Sequence, residues 1–114
     1  MKLKSGNVVL VDFPGVSGVK RRPAVVLSSE KYHAIRPDVI LGLITSQRKG
    51  LGATDYVLED WQAAGLRVSS VFRSFIVTLP ISKNLSVVGQ LSAQDWKGVR
   101  ACVRVALAKD LCNA

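Results

Sequence analysis

Residues 7–13, Asn7-Val8-Val9-Leu10-Val11-Asp12-Phe13, decide the reading of the fold. Val9, Val11 and Phe13 fall on one face of an extended chain, and Val8, Leu10 and Asp12 on the other, the period of two of a β-strand. Pro14-Gly15-Val16-Ser17-Gly18 punctuates this strand. Lys20-Arg21-Arg22 follows, within a loop from Gly15 to Arg21 that is rich in glycine and positive charge. Pro23 to Ser28 predicts a second strand, with the proline at its first position, where a missing N–H is tolerated. Val39 to Thr45 is continuously apolar and bounded by turn signals, as in a central strand buried on both faces. Asp55 to Leu58 is a short strand candidate, Ser70 to Leu79 the longest, and Leu85 to Leu91 the last.

The connections carry their own signals. Ser29 to Asp38 holds one helical turn begun by Ser28 or Ser29, and Ser46 to Thr54 is a loop with two glycines and the basic pair Arg48-Lys49. Glu59 to Ala64 predicts a single helical turn closed by Gly65. Ser92-Ala93-Gln94-Asp95 reads as a capping box. After it, Trp96, Val99, Val103 and Leu107 recur at helical spacing opposite Lys97, Arg100 and Arg104, which gives an amphipathic helix with a solvated basic face. The expected fold is mainly β (α+β): a small, partly open barrel with a C-terminal helix, in a single domain over residues 1–114.

Composition sets the outer limits. A chain of 114 residues suits one domain, and 48% hydrophobic with 21% charged residues is too apolar for a disordered tail. The longest aliphatic run, Val39 to Ile44, is six residues, against the ~20 a membrane-crossing helix needs. The first residues carry charge without an apolar stretch behind it, unlike a secretory signal. Sixteen basic residues against eight acidic give a net charge of +8, which favours polyanionic partners: RNA, DNA or an acidic protein. Cys102 and Cys112 on one helix would stand roughly 15 Å apart, beyond the ~7 Å a disulfide allows, so free thiols of a cytoplasmic protein are expected. Neither cysteine has zinc-finger spacing to another ligand.

Most catalytic constellations are missing. The one histidine, His33, lies in a polar connection and is read as a surface residue. There is no Walker-type glycine–lysine loop, and the acids are scattered rather than clustered as magnesium sites require. Three residues suit phosphate chemistry without a metal or other cofactor. Arg22 is held extended by Pro23, Thr45 ends the buried strand, and Arg73 sits among the apolar residues Val71, Phe75 and Val77. Arg73 reads equally as an arginine whose stem lies along the sheet while its head reaches water. An arginine fork binds two phosphate oxygens and stays charged, and a hydroxyl beside it donates to a developing oxyanion. With RNA, the nucleophile arrives on the substrate as the 2′-hydroxyl.

Five stretches, in order, resemble the MazF/PemK toxin family of type II toxin–antitoxin systems: Gly6 to Phe13, Lys20 to Ser28 with its Arg22-Pro23-Ala24 core, Ile44-Thr45-Ser46-Gln47, Ser70-Val71-Phe72-Arg73 and Val88-Gly89-Gln90-Leu91-Ser92. The resemblance implies an SH3-like barrel working as a homodimer. It implies a metal-independent, sequence-selective endoribonuclease that cuts single-stranded mRNA by 2′-hydroxyl attack, leaving a 2′,3′-cyclic phosphate and a 5′-hydroxyl. It also implies an acidic antitoxin of the MazE/PemI kind as partner. Carried over by position, Arg22 and Thr45 match the family's catalytic arginine and threonine, and Arg73 an arginine that PemK-type members use as acid or charge stabiliser. Ser17, Gly18, Lys20 and Arg21 fall in the loop over the RNA, and Gln47, Arg48 and Lys49 where the family contacts substrate.

The chain departs from that pattern at Phe75, where PemK-type members place an aspartate, and in a loop before Arg22 that lacks glutamate, glutamine and histidine. The proton donor and acceptor stay unassigned; Asp12 is the nearest acid in sequence. Two alternatives remain open: a non-catalytic barrel that binds nucleic acid or antitoxin, and a gyrase-inhibiting toxin. Against the second, the chain ends Leu111-Cys112-Asn113-Ala114 instead of in the tryptophan-glycine-isoleucine type of tail of that branch.

Overall fold

A computed structural model describes residues 2–15, 17–82 and 84–111. The chain runs β1 (Asn7–Gly15), β2 (Gly18–Val26), α1 (Glu30–Ile35), β3 (Asp38–Thr45), β4 (Asp55–Val57), β5 (Val71–Pro80), β6 (Ser86–Gln90) and α2 (Ala93–Ala106). All strand pairs are antiparallel, in the order β4-β5-β3-β2-β1-β6, and the sheet does not close. The open seam is spanned by the 59–65 turn: Ala64 and Gly65 pack backbone to backbone on Val88 and Gly89 of β6. Residues 59–65 form turns rather than a helix, and Gly65 closes them at φ +88°, a conformation that suits glycine.

The central strands are buried on both faces, as continuous apolar runs predict. On one face Val9, Val11, Phe13, Ala24, Val26, Val39 and Leu41 form a core with Leu3 and Leu85. On the other, Val8, Val25, Ile44 and Phe72 pack beneath α2 through Val99 and Cys102. Burial pushes the Cys102 thiol up from its ordinary value; Cys112 lies outside the described residues.

Three local expectations need correction. First, the segment before Arg22 is not a loop. β1 and β2 pair as far as Gly15 and Gly18, so Arg22 lies within β2 opposite Val11, and Pro23 lies opposite Leu10. Pro23 is accommodated because β2 pairs with β3 only from Ala24 onward. Second, His33 is not a bland surface residue. It is half-buried, with Nδ1 3.0 Å from the Leu3 carbonyl and Nε2 2.6 Å from Ser28 Oγ. It pins the N-terminal segment to the end of β2. Third, Leu107 is the C-cap of α2 and is 38% exposed, so it is not part of the packed stripe.

Asp95 joins helix to sheet. It is fully buried and accepts from Tyr56 Oη at 2.9 Å, Glu59 N at 3.1 Å and Asp60 N at 2.8 Å. Its own N–H donates to the N-cap Ser92 Oγ. Gly98 permits the contact, since a Cβ there would stand 2.2 Å from the Tyr56 ring. Burial, then the Asp95 carboxylate, raises the Tyr56 pKa to about 12. Stability from this phenol is complete below pH 10, its unfolded value, and lost as pH rises through about 12. Tyr56→Phe is therefore expected to flatten the fall in urea midpoint over that alkaline window. Asp95→Ala, which strands buried N–H groups, is expected to cost roughly 2–4 kcal/mol by urea denaturation at neutral pH.

Candidate RNA-cleavage site

The free edge of β2 opens a cleft. Where β3 ends at Thr45, the outer half of the β1–β2 hairpin continues without a neighbour on that side. The cleft there, about 310 Å³, is floored by Phe13 and Leu43 and rimmed by Lys20, Arg22, Thr45, Gln47, Arg73 and Phe75, with Ser17 and Gly18 at the hairpin tip. All three predicted catalytic residues thus share one cavity, with Ser17, Gly18, Lys20 and Gln47 among the predicted contacts.

The other three predicted contacts lie elsewhere. Arg21, next to Arg22 in a strand, points to the opposite face. It donates to the Asn84 carbonyl at 2.6 Å and lies 3.6 Å from Asp12. Asp12 is engaged there and does not line the cleft. Arg48 donates to Ser69 Oγ. Lys49 is exposed on the loop beyond the rim, and its carbonyl, not its ammonium, serves the site.

The three catalytic candidates are in different states. Arg22 is half-buried, and among the described residues no hydrogen bond or ion pair engages its guanidinium. Thr45 is 8% exposed, and its Oγ1 accepts from Gln47 N at 3.2 Å, which leaves its own O–H free to donate. Arg73 is held by the protein. Nη1 lies 3.4 Å from Asp55 Oδ2, and Nη2 donates to the carbonyls of Gln47 and Lys49. Asp55 and Arg73 are direct cross-strand partners on β4 and β5, and Asp55 also accepts from Gly52 N at 2.9 Å. Arg73 therefore latches the 46–54 loop and does not reach water as a free head. Sequence reading misses Asp55, because its partner appears only once β4 and β5 are in register.

A bulge shapes the remaining wall. β5 shifts register against β3 between Gly42, paired with Ile76, and Leu43, paired with Arg73. Ser74 and Phe75 lie in the shift. Ser74 Oγ donates to the Thr54 carbonyl, while Phe75 stands 43% exposed in the cleft, edge-on to the buried Phe13 at 5.6 Å between ring centroids. The cleft lining holds no carboxylate and no imidazole among the described residues. Nor, among them, do three His, Cys, Asp or Glu side chains converge on a metal position.

The family described as "PemK-like, MazF-like toxin of type II toxin-antitoxin system" matches residues 4–107. The chain belongs to this toxin family. No curated protein sequence matches it significantly. Among solved structures, the MazF-like chain is similar to the MazE-MazF complex of Deinococcus radiodurans, at 23% identity over 95% of this chain and 97% of that one, with a TM-score of 0.73. It is also similar to an endoribonuclease in complex with its cognate antitoxin from a mycobacterial species (16% identity, 91% and 93% coverage, TM-score 0.74) and to the Mycobacterium tuberculosis toxin MazF-mt6 (23%, 88% and 94%, 0.71). At these identities the likeness establishes a shared MazF fold. No helix of the described residues is long and apolar enough to cross a membrane.

The latch makes a specific forecast. With Asp55→Ala, the charge-assisted contacts that fix Arg73 and the Lys49 carbonyl weaken, and local opening of the loop rises. Tryptic cutting after Arg48 and Lys49 is expected to accelerate roughly tenfold, while the global urea midpoint moves little. Unchanged cutting rates would show that the loop is held by something else.

Proposed function

We propose that this MazF-like toxin is a metal-independent, sequence-selective endoribonuclease of single-stranded mRNA, acting in the cytoplasm as a homodimer and restrained by an acidic antitoxin. The observation that carries the reading is a half-buried guanidinium, Arg22, unpaired among the described residues and sharing one cleft with the Thr45 hydroxyl, whose oxygen already accepts from Gln47 N. A half-buried cation without a partner is costly unless a ligand supplies the anion, and a phosphodiester does so.

In the reaction, the ribose O2′ forms a bond to phosphorus as the bond from phosphorus to O5′ breaks. The 2′-hydroxyl proton is lost to base, and the departing O5′ takes up a proton to become the 5′-hydroxyl. Arg22 binds the non-bridging oxygens, whose charge grows in the pentavalent transition state, and Thr45 donates its O–H to one of them. Arg73, through its hold on the 46–54 loop, sets the position of Gln47 and of Thr45 beside it. Among the described residues the lining offers no carboxylate or imidazole to take the O2′ proton; in the proposed mechanism charge stabilisation and positioning supply the acceleration and solvent takes the proton. The cationic rim and the net charge of +8 also suit the proposed acidic antitoxin segment, which would occupy the same cleft as the RNA.

The missing acid and base also support a second reading, a barrel that binds RNA or antitoxin without turnover. One experiment decides between the two. Purified protein is incubated with single-stranded RNA in excess chelator. Fragments ending in 2′,3′-cyclic phosphate and 5′-hydroxyl are expected, and Arg22→Ala and Thr45→Ala should each lower the cleavage rate by about 10²–10³. The circular-dichroism spectrum should not change, since Arg22 belongs to neither core cluster. Intact RNA bound tightly would favour the second reading. With solvent as proton acceptor, cleavage should rise steadily with pH, without an inflection in the carboxylate or imidazole ranges near ~4 and ~6.5. An inflection there would reveal a base that the cleft does not display.

A further inference from the structure

We propose that Phe75 is a stacking platform for one nucleobase of the RNA, the base adjoining the phosphate held by Arg22; this rests on the nuclease reading above. The register shift on β5 turns this side chain out of the core that Val77 and Leu79 enter further along the strand. It leaves 43% of the residue exposed on the cleft wall. One side of the ring is left facing the cleft, where apolar surface in water is unfavourable. The ring is not loose: Phe13, buried to 2%, meets it edge to face at 81°. It therefore presents a face in a fixed orientation, and the entropy of ordering it is already spent.

The neighbours identify the occupant. Lys20, Arg22 and Arg73 share the cleft with this ring, and no acid lines it among the described residues. A nucleotide satisfies both halves together, its phosphate at the cations and its base on the ring, and unstacked single-stranded bases bind proteins in this way. An acidic peptide satisfies the cations but brings no flat partner for the ring. Every base has a π-face, so the platform contributes affinity and places the chain, while base choice falls to hydrogen-bonding groups such as Gln47.

The test uses the full chain and an RNA oligonucleotide spanning a site that the wild type cuts, with a 2′-deoxyribose at the scissile position so that it binds without cleavage. Phe75→Leu is expected to raise Kd about five- to a hundredfold, the loss of one stacked base, and Phe75→Trp to restore it. An abasic residue beside the scissile phosphate should cost the wild type a similar factor and cost Phe75→Leu nothing further. Equal Kd for wild type and Phe75→Leu, or the same abasic penalty in both, overturns the proposal while leaving the nuclease reading intact. Dissociation of Phe75→Leu into monomers by sedimentation overturns it in favour of a second copy covering the ring. Loss of affinity for an acidic peptide alone overturns it in favour of a protein ligand. A wild type that neither binds nor cuts RNA removes the nuclease reading and the platform together.

Discussion

The cross-strand pair of Asp55 and Arg73 divides the labour among the cations of the cleft. A guanidinium offers five donors, and this one directs its terminal nitrogens to a carboxylate and two main-chain carbonyls of the protein itself. Its charge is largely neutralised by an aspartate that is only 10% exposed. What Arg73 can give the site is therefore geometry: it fixes a glycine-containing loop that would otherwise have few buried contacts. Arg22 is in the opposite condition, half-buried with no acceptor among the described residues. Two arginines that look alike in sequence thus act differently, one as a loop fastener and one as the charge awaiting an anion, because only one of them faces a carboxylate across the sheet.

The cleft exists because the sheet is doubly used and then interrupted. The inner parts of β1 to β3 bury both faces, one into the curled interior and one beneath α2, while the outer half of β2 and the end of β3 reach the cleft. The cleft forms where pairing fails: along the outer half of β2, which has no β3 neighbour, and at the shift on β5, which unseats Ser74 and Phe75. Both irregularities expose a side chain at the end of a packed layer, so the site is rigidly backed without being buried. The α2 helix matters at a distance. Its Asp95 holds the residues that follow β4, and β4 carries the Asp55 that restrains Arg73.

Much of this was legible in the sequence. The alternation in residues 7–13 and the apolar run in 39–45 place the central strands to within a residue or two, and Ser92 and Asp95 mark the start of the last helix. Arg22, Thr45 and Arg73, singled out from the sequence, line one cleft. Three things were not legible, each for a physical reason. Pro14, Gly15, Gly18 and Pro23 are breakers by composition, yet a hairpin with a free edge tolerates them, so a continuous ribbon looks like a loop. His33 looks like an ordinary polar residue and Asp95 like no more than part of a capping box, because His33 reaches Leu3 thirty positions away and Asp95 reaches Tyr56, Glu59 and Asp60 farther still. The register shift between Gly42 and Leu43 has no one-residue signature, and without it Phe75 reads as one more core side chain.

The electrostatics of the cleft follow from how the acids are deployed. Asp12 pairs with Arg21, Glu30 with Lys2, Asp38 with Arg36 and Asp55 with Arg73, while Asp95 is sealed under α2. These five of the eight acids are tied to structural tasks, and no carboxylate lines the cleft among the described residues, so the positive charge of Lys20 and Arg22 is uncompensated there. An unscreened positive recess with apolar walls focuses the field on whatever polyanion approaches, and it does so without discrimination between a nucleic acid and an acidic protein segment. Discrimination then rests on shape. A ring held edge to face by another ring and a hydroxyl that already accepts from Gln47 N share the lining, so under the proposed reading a flat base and a tetrahedral phosphate would both find a complement there, a pairing that a nucleotide offers and a carboxylate side chain does not. The same deployment leaves the cleft lining, among the described residues, both positive and free of carboxylates, so the two properties have a single origin.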